Sequence, residues 1–81
     1  MRCVYIAECL GKYKIGWSSN LPLRIQELDK SCPYVVRLIH SFESPTPKTT
    51  EHKLHKKYKH RHIKHEWYRL TQEDLKEIIG A

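Results

Sequence analysis

The sequence lacks a long apolar run and a regular cysteine framework. It has no stretch of about 18 apolar residues, the length that a membrane-spanning helix needs. No apolar segment follows Met1 as in a secretory signal. The three cysteines are an odd number and form no C-x-x-C pair, which is typical of a reducing compartment. We therefore expect an intracellular protein, in the cytoplasm or nucleus of a host cell, that is neither secreted nor membrane-bound.

Acidic residues are also scarce. Nine Asp and Glu stand against 15 Lys and Arg, so the formal net charge is +6 with histidine neutral. Such a surplus favours an anionic partner, with nucleic acid as the first candidate and an acidic membrane surface as the second. With 81 residues the chain is near the lower size limit of one domain, so we expect a single domain over residues 1–81.

The positive charge is concentrated in residues 48–69. This block contains eight of the basic residues, five of the six histidines and only two acids, Glu51 and Glu66. Interleaved aromatic residues make it typical of a phosphate-binding surface, and the alternative is a solvated helix face. We expect the phosphate-binding residues to be Arg24, Lys53, Lys56, Lys57, Lys59, Arg61 and Lys64. The histidines also suggest zinc, but no cysteine pair accompanies them.

Residue patterns predict an α+β protein with the order ββαβα followed by a short tail. Strands are indicated by β-branched and aromatic residues in alternation, and helices by capping residues ahead of an apolar stripe. In chain order we predict strands at 2–8 and 12–17, a helix to about 30, a strand at 34–42, a helix at 48–60, a short extended piece at 66–70 and a helix to 79.

Two charged residues lie on the apolar stripes of predicted helices. Arg24 shares the stripe of Leu21 and Leu28, and Glu51 precedes Leu54 by three positions. A charge that faces inward costs free energy unless it is paired or bound. The pair could form a buried salt bridge or reach past the stripe to solvent. The alternative is a cleft with one cation for phosphate and one carboxylate for a metal.

Five short motifs together resemble the GIY-YIG nuclease superfamily, in particular its short phage- and virus-type branch. They are Val4-Tyr5-Ile6, Lys14-Ile15-Gly16, Arg24, Glu51-x-x-Leu54-His55 and Glu66-Trp67-Tyr68. The resemblance implies a three-stranded antiparallel sheet flanked by helices. It also implies metal-dependent hydrolysis of DNA phosphodiester bonds, with little sequence specificity of its own unless a homodimer or a partner protein supplies it.

The resemblance also assigns roles to individual residues. Tyr5 would stand beside the attacking water as its general base, Arg24 would hold the scissile phosphate, and Glu51 would be the only protein ligand of a divalent metal, Mg²⁺ or Mn²⁺. Lys14 replaces the second tyrosine of the family, and its charge could lower the pKa of Tyr5. Candidate neighbours of this site are Tyr13, His40 and His55.

Elementary chemistry is compatible with these roles. A phosphodiester is an anion, so its hydrolysis needs positive charge at the phosphate and a more acidic water. Arginine can contact phosphate oxygens in a bidentate manner, and Mg²⁺ can be held by a single carboxylate because it keeps several waters. Two alternatives remain: a catalytically inactive, nuclease-derived DNA-binding module, and a domain whose basic face binds an acidic protein.

Overall fold

A β-hairpin forms the centre of the fold in the computed structural model, which describes residues 2–80. Strand β1 (Cys3–Cys9) pairs antiparallel with β2 (Lys12–Ser18), and Tyr5 lies opposite Gly16. The connecting residues Leu10 and Gly11 both have positive φ, 51° and 77°, as a two-residue hairpin turn requires. The two strands predicted from the β-forming residues are therefore confirmed, each within one residue at either end.

Three more strands extend this hairpin into an antiparallel sheet of five. The remaining elements are, in chain order, α1 (Leu21–Ser31), β3 (Arg37–Glu43), α2 (Pro47–Lys57), a 3₁₀ turn (Lys59–Arg61), β4 (His62–Lys64), β5 (Trp67–Tyr68) and α3 (Gln72–Ile79). The strand order is β3-β1-β2-β5-β4. The α+β class agrees with the prediction, but the three-stranded sheet is wrong, because β4 and β5 form a short hairpin that pairs with β2. The order ββαβα describes only the first five elements.

Both faces of the sheet are covered. Successive side chains of a strand point to opposite faces, and in β1 both sets are buried. Ile6 packs with residues of α2 and α3, including Leu54 and Leu75. Tyr5 packs on the other side with Leu28 of α1. The central strand therefore places the Tyr5 side chain under α1.

Two predicted boundaries need correction. β3 begins at Arg37 rather than at residue 34, and Tyr34, the first residue of the predicted strand, is 55% exposed. An irregularity in the pairing of β3 with β1 breaks the strict alternation on which that prediction depended. α2 ends at Lys57 rather than His60, because Tyr58 leaves the helical conformation while its ring is buried in the core.

Local capping interactions fix the starts of two helices. The side chain of Asn20 accepts a hydrogen bond from the backbone of Leu23, which places Arg24 in the first turn of α1. Thr71 and Asp74 form a reciprocal capping box at the start of α3. Within residues 2–80, no helix is long and apolar enough to cross a membrane.

Candidate active site

The site lies where the edge of β2 is left open by the short strand β5. β5 pairs with β2 only at Tyr13 and Lys14. Beyond that point individual groups satisfy the backbone of β2: the Ile15 amide donates to the carbonyl of Glu66 (3.2 Å), and His55 Nε2 donates to the Ile15 carbonyl (2.9 Å). Because β5 ends early, the remaining edge of β2 is contacted by His55 of α2 and by Glu66, the residue before β5.

Glu51 occupies the next position along this edge. Its carboxylate accepts a hydrogen bond from the backbone of Trp17, and Oε1 lies 3.8 Å from His55 Nε2. The side chain is only 15% exposed. Burial, followed by the negative charge of Glu66, raises the pKa of Glu51, and the nearby charges of His55 and Lys14 offset this only in part. A positively charged ligand bound here would therefore stabilise the ionised form of the Glu51 carboxyl group.

Tyr5 and Arg24 are in direct contact on the α1 side of the sheet. Arg24 Nε donates a hydrogen bond to the Tyr5 hydroxyl at 3.3 Å. Tyr5 is 1% exposed, and this burial raises the pKa of its hydroxyl. The Arg24 contact opposes that rise, while the charges of Glu66 and Glu51 add to it. The four side chains therefore belong to one electrostatic cluster.

Gly16 makes room for the Tyr5 phenol. A Cβ atom at Gly16 would lie 2.7 Å from the Tyr5 hydroxyl oxygen and 2.8 Å from Cζ. Both distances are shorter than a carbon atom allows, so any side chain at this position would displace the ring. The glycine of the Lys14-Ile15-Gly16 motif is therefore explained by the position of Tyr5.

Lys14 forms an ion pair that the sequence did not predict. Its Nζ lies 3.1 Å from Glu66 Oε2 and 5.7 Å from the centre of the Trp67 ring, and the residue is only 9% exposed. The expected lowering of the Tyr5 pKa by Lys14 is not observed, because burial dominates that pKa and the Lys14 charge is paired with Glu66. Sequence reasoning left Glu66 out of the site. The feature that could have identified Glu66 is that it is the second acidic residue within the basic block 48–69, three residues after Ile63.

The proposed salt bridge between Arg24 and Glu51 is not formed. Within residues 2–80, no carboxylate lies within 4.0 Å of the Arg24 guanidinium. Arg24 contacts Tyr5, and Glu51 contacts His55. Both charges therefore remain available for a ligand of opposite charge.

The three candidate neighbours all lie on the face of the sheet that α2 and α3 cover, but at different places. His55 lies at the site beside Glu51. Tyr13 faces the core under α2 and α3, and its hydroxyl donates to Glu8 Oε2 at 3.4 Å. His40 lies on β3 with its ring 5.9 Å from that of Phe42. The structure therefore brings only His55 together with Glu51.

The candidate phosphate-binding residues divide into free and paired cations. Lys57 is paired with Glu77, and Arg61 Nε lies 3.1 Å from Asp74 Oδ2. Among the candidates, those that are exposed and have no carboxylate within 4.0 Å in the described part of the chain are Lys53, Lys56, Lys59 and Lys64. The basic block is thus not one helix but continues from α2 through the 3₁₀ turn to β4.

The donor set fits a hard divalent cation that keeps most of its waters. No group of three or more His, Cys, Asp or Glu side chains suited to a metal occurs among residues 2–80. The Glu51 carboxylate, with the charge of Glu66 nearby, offers the single-carboxylate arrangement that Mg²⁺ accepts.

Fold and site together define a small α+β protein with a tyrosine–arginine pair on one face of the sheet and a glutamate at the open edge of β2. The chain belongs to the T5orf172 domain family, whose model matches residues 2–81. This family is associated with nuclease-like function. Searches among curated proteins and among solved structures gave no match.

Proposed function

We propose that this domain is a metal-dependent DNA endonuclease of the GIY-YIG type. The observation that carries the proposal is the contact between Arg24 and Tyr5 over Gly16, together with a half-buried Glu51 whose only charged neighbour within 4.0 Å in residues 2–80 is His55 and whose charge acts on the Tyr5 hydroxyl. A cation, a hydroxyl and a carboxylate in one electrostatic cluster are the groups that hydrolysis of an anionic diester requires. The family membership supports a nuclease-like role.

Arg24 would bind the scissile phosphate. Its Nε is engaged with the Tyr5 hydroxyl, and no bond from its two terminal nitrogens to an acceptor occurs among residues 2–80. These nitrogens can therefore contact two phosphate oxygens, while the Tyr5 bond holds the guanidinium plane in place. The same interaction would set the distance between the phosphate and the Tyr5 hydroxyl.

Tyr5 would orient the attacking water. Because burial raises its pKa, the hydroxyl keeps its proton at neutral pH and can form hydrogen bonds both as donor and as acceptor. To take a proton from the water, Tyr5 must first lose its own, and the Arg24 contact is the interaction that lowers this cost. Positioning of the water is therefore the role that this structure supports best.

Glu51 would hold the divalent cation, with His55 fixing the carboxylate from behind. Mg²⁺ or Mn²⁺ at this carboxylate would act as a Lewis acid toward the phosphate and make bound water more acidic. The hydrogen bond from His55 to the Ile15 carbonyl anchors α2 to the edge of β2. The Glu51 carboxylate, which contacts His55, is therefore held in a fixed position relative to β2. The exposed lysines Lys53 and Lys56 lie on the same helix and would bind flanking phosphates.

The variant Glu51→Gln tests the proposal. Glutamine keeps the size and can still accept the Trp17 hydrogen bond, but it removes the charge that a hard cation needs. We expect DNA binding equal to or tighter than that of the wild type, an unchanged circular dichroism spectrum, and no cleavage at any Mg²⁺ or Mn²⁺ concentration. The matched control is Glu43→Gln, which removes the same charge at an exposed position at the end of β3 and should cleave normally.

Two results would contradict the proposal. Metal-dependent cleavage by Glu51→Gln would remove this carboxylate from the site. If the wild-type protein binds DNA in a salt-dependent manner but cleaves none, the inactive DNA-binding module is favoured instead. The observation in favour of that alternative is the Lys14–Glu66 ion pair, which stands where the GIY-YIG superfamily has its second tyrosine.

A further inference from the structure

A groove of about 510 Å³ lies beside the candidate site, between the C-terminal end of α1 and the β4–β5 hairpin. Its volume falls within the range of about 300–1,000 Å³ that is usual for small-molecule sites. Apolar and aromatic side chains line it together with lysines, among them Leu28, Tyr34, Ile63, Trp67, Lys12 and Lys64.

The groove shares residues with the buried cluster that contains Tyr5. Lys14 lines it directly, and the Lys14 partner, Glu66, influences the pKa of both Tyr5 and Glu51. Trp67 packs against the same buried cluster as Tyr5. Leu28, one helical turn after Arg24 in α1, also lines the groove, so a nucleic-acid strand with one phosphate at Arg24 can run along α1 and bring a nearby nucleotide to it.

The lining has the chemistry of a single-nucleotide site. Tyr34 is 55% exposed and Ile63 is 38% exposed, so both are accessible from solvent. Lys12 and Lys64 are exposed, and no carboxylate lies within 4.0 Å of either ammonium in the described residues. Aromatic rings stack on a base of any sequence, and flanking lysines neutralise the attached phosphates.

We propose that this groove binds one unpaired nucleobase next to the phosphate held by Arg24. A base inside a continuous duplex is covered by its stacked neighbours and cannot enter the groove without unstacking, which costs free energy. The protein should therefore favour DNA that already contains unpaired nucleotides, such as a bulge, over a continuous duplex. This inference rests on the proposed DNA endonuclease function, because it takes DNA as the substrate.

The test compares three fluorescein-labelled DNAs by anisotropy in EDTA, where no cleavage occurs. They are a continuous duplex, the same duplex with a one-nucleotide bulge, and the same bulge with an abasic nucleotide. Base stacking on aromatic residues is worth about 1–3 kcal/mol, so the bulge should bind roughly 5- to 150-fold more tightly than the duplex. The abasic bulge should lose this preference, because its backbone is equally flexible but carries no base.

Variants connect the preference to the groove. Tyr34→Ala and Ile63→Ala should each reduce the ratio of duplex to bulge dissociation constants, with little effect on duplex binding. Val35→Ala is the matched control, since Val35 is 74% exposed, adjoins Tyr34 in sequence and is not part of the lining. Circular dichroism confirms that each variant is folded.

The outcomes separate this inference from the proposed function. Equal affinity for the base-containing and abasic bulges, or an unchanged preference in both groove variants, would overturn the inference, even if Mg²⁺-dependent cleavage is observed. If the protein prefers the bulge but cleaves no DNA, the proposed endonuclease function is wrong and the proposed nucleobase site is retained. If no DNA binds, both fail, and an apolar peptide becomes the better occupant.

Discussion

Replacement of Gly16 by alanine tests whether the position of Tyr5 controls activity. Gly16 lies in β2 directly opposite Tyr5 and has no positive φ, so alanine suits the backbone and only the new methyl group matters. That methyl would lie 2.7 Å from the Tyr5 hydroxyl oxygen and 2.8 Å from Cζ. Because Tyr5 is 1% exposed, a displaced ring must push against the side chains that cover it rather than move out into solvent.

The size of the effect follows from these distances. Overpacking a well-packed core costs about 1–3 kcal/mol, so we expect Gly16→Ala to lower the free energy of unfolding by that amount. To restore ordinary contact the phenol must move by about 1 Å, and such a misplacement can cost on the order of 100-fold in rate. The hydrogen bond from Arg24 Nε, already 3.3 Å long, would then be lost.

Cleavage under single-turnover conditions and urea denaturation measure the two effects. If alanine acts through the Tyr5 hydroxyl, it should reduce the rate much less in a Tyr5→Phe background, because the hydroxyl is already absent. Gly11→Ala is the control: it strains a residue with φ 77° in open space and should reduce stability without a selective loss of rate. Wild-type rate and stability for Gly16→Ala would refute the reasoning.

Three further predictions concern other parts of the molecule. Arg24→Lys should bind DNA but lose most single-turnover cleavage, because lysine cannot make the bidentate contact; a near-normal rate would contradict this. The double variant Lys53→Ala with Lys56→Ala should weaken DNA binding and reduce the slope of log K against the logarithm of the salt concentration by about 2. An unchanged slope would mean that this face of α2 is solvated and contacts no phosphate. Thr71→Ala removes the α3 cap and should cost about 1 kcal/mol in urea denaturation, with an unchanged cleavage rate; full stability would refute the capping role.

The parts of the fold that sequence reasoning predicted have strong local signals. β1 and β2 carry runs of β-forming residues on either side of a glycine turn, and α3 begins at a Thr-x-x-Asp box. β4 and β5 have three and two residues, too few for any alternation to be recognised. These strands form because the edge of β2 is available for pairing, and that availability is a tertiary property that no short window of sequence contains.

The candidate site shows the same division between local and long-range information. The inward positions of Arg24 and Glu51 followed from helical periodicity, which is local. The periodicity could not reveal whether they contact each other, because α1 and α2 meet the sheet on opposite faces. The structure separates them and gives each its own neighbour, Tyr5 and His55.

Lys14 illustrates why a residue's charge alone did not reveal its effect. In sequence it is a cation one strand away from Tyr5, and an isolated cation there would stabilise the phenolate. In the fold Glu66 lies 3.1 Å from its ammonium and contributes a charge that raises the Tyr5 pKa. The pair is close to neutral, so the main interaction that lowers the Tyr5 pKa is the one with Arg24. In the proposed mechanism, phosphate binding and tuning of the hydroxyl therefore depend on the same guanidinium, and a change at Arg24 should disturb both together.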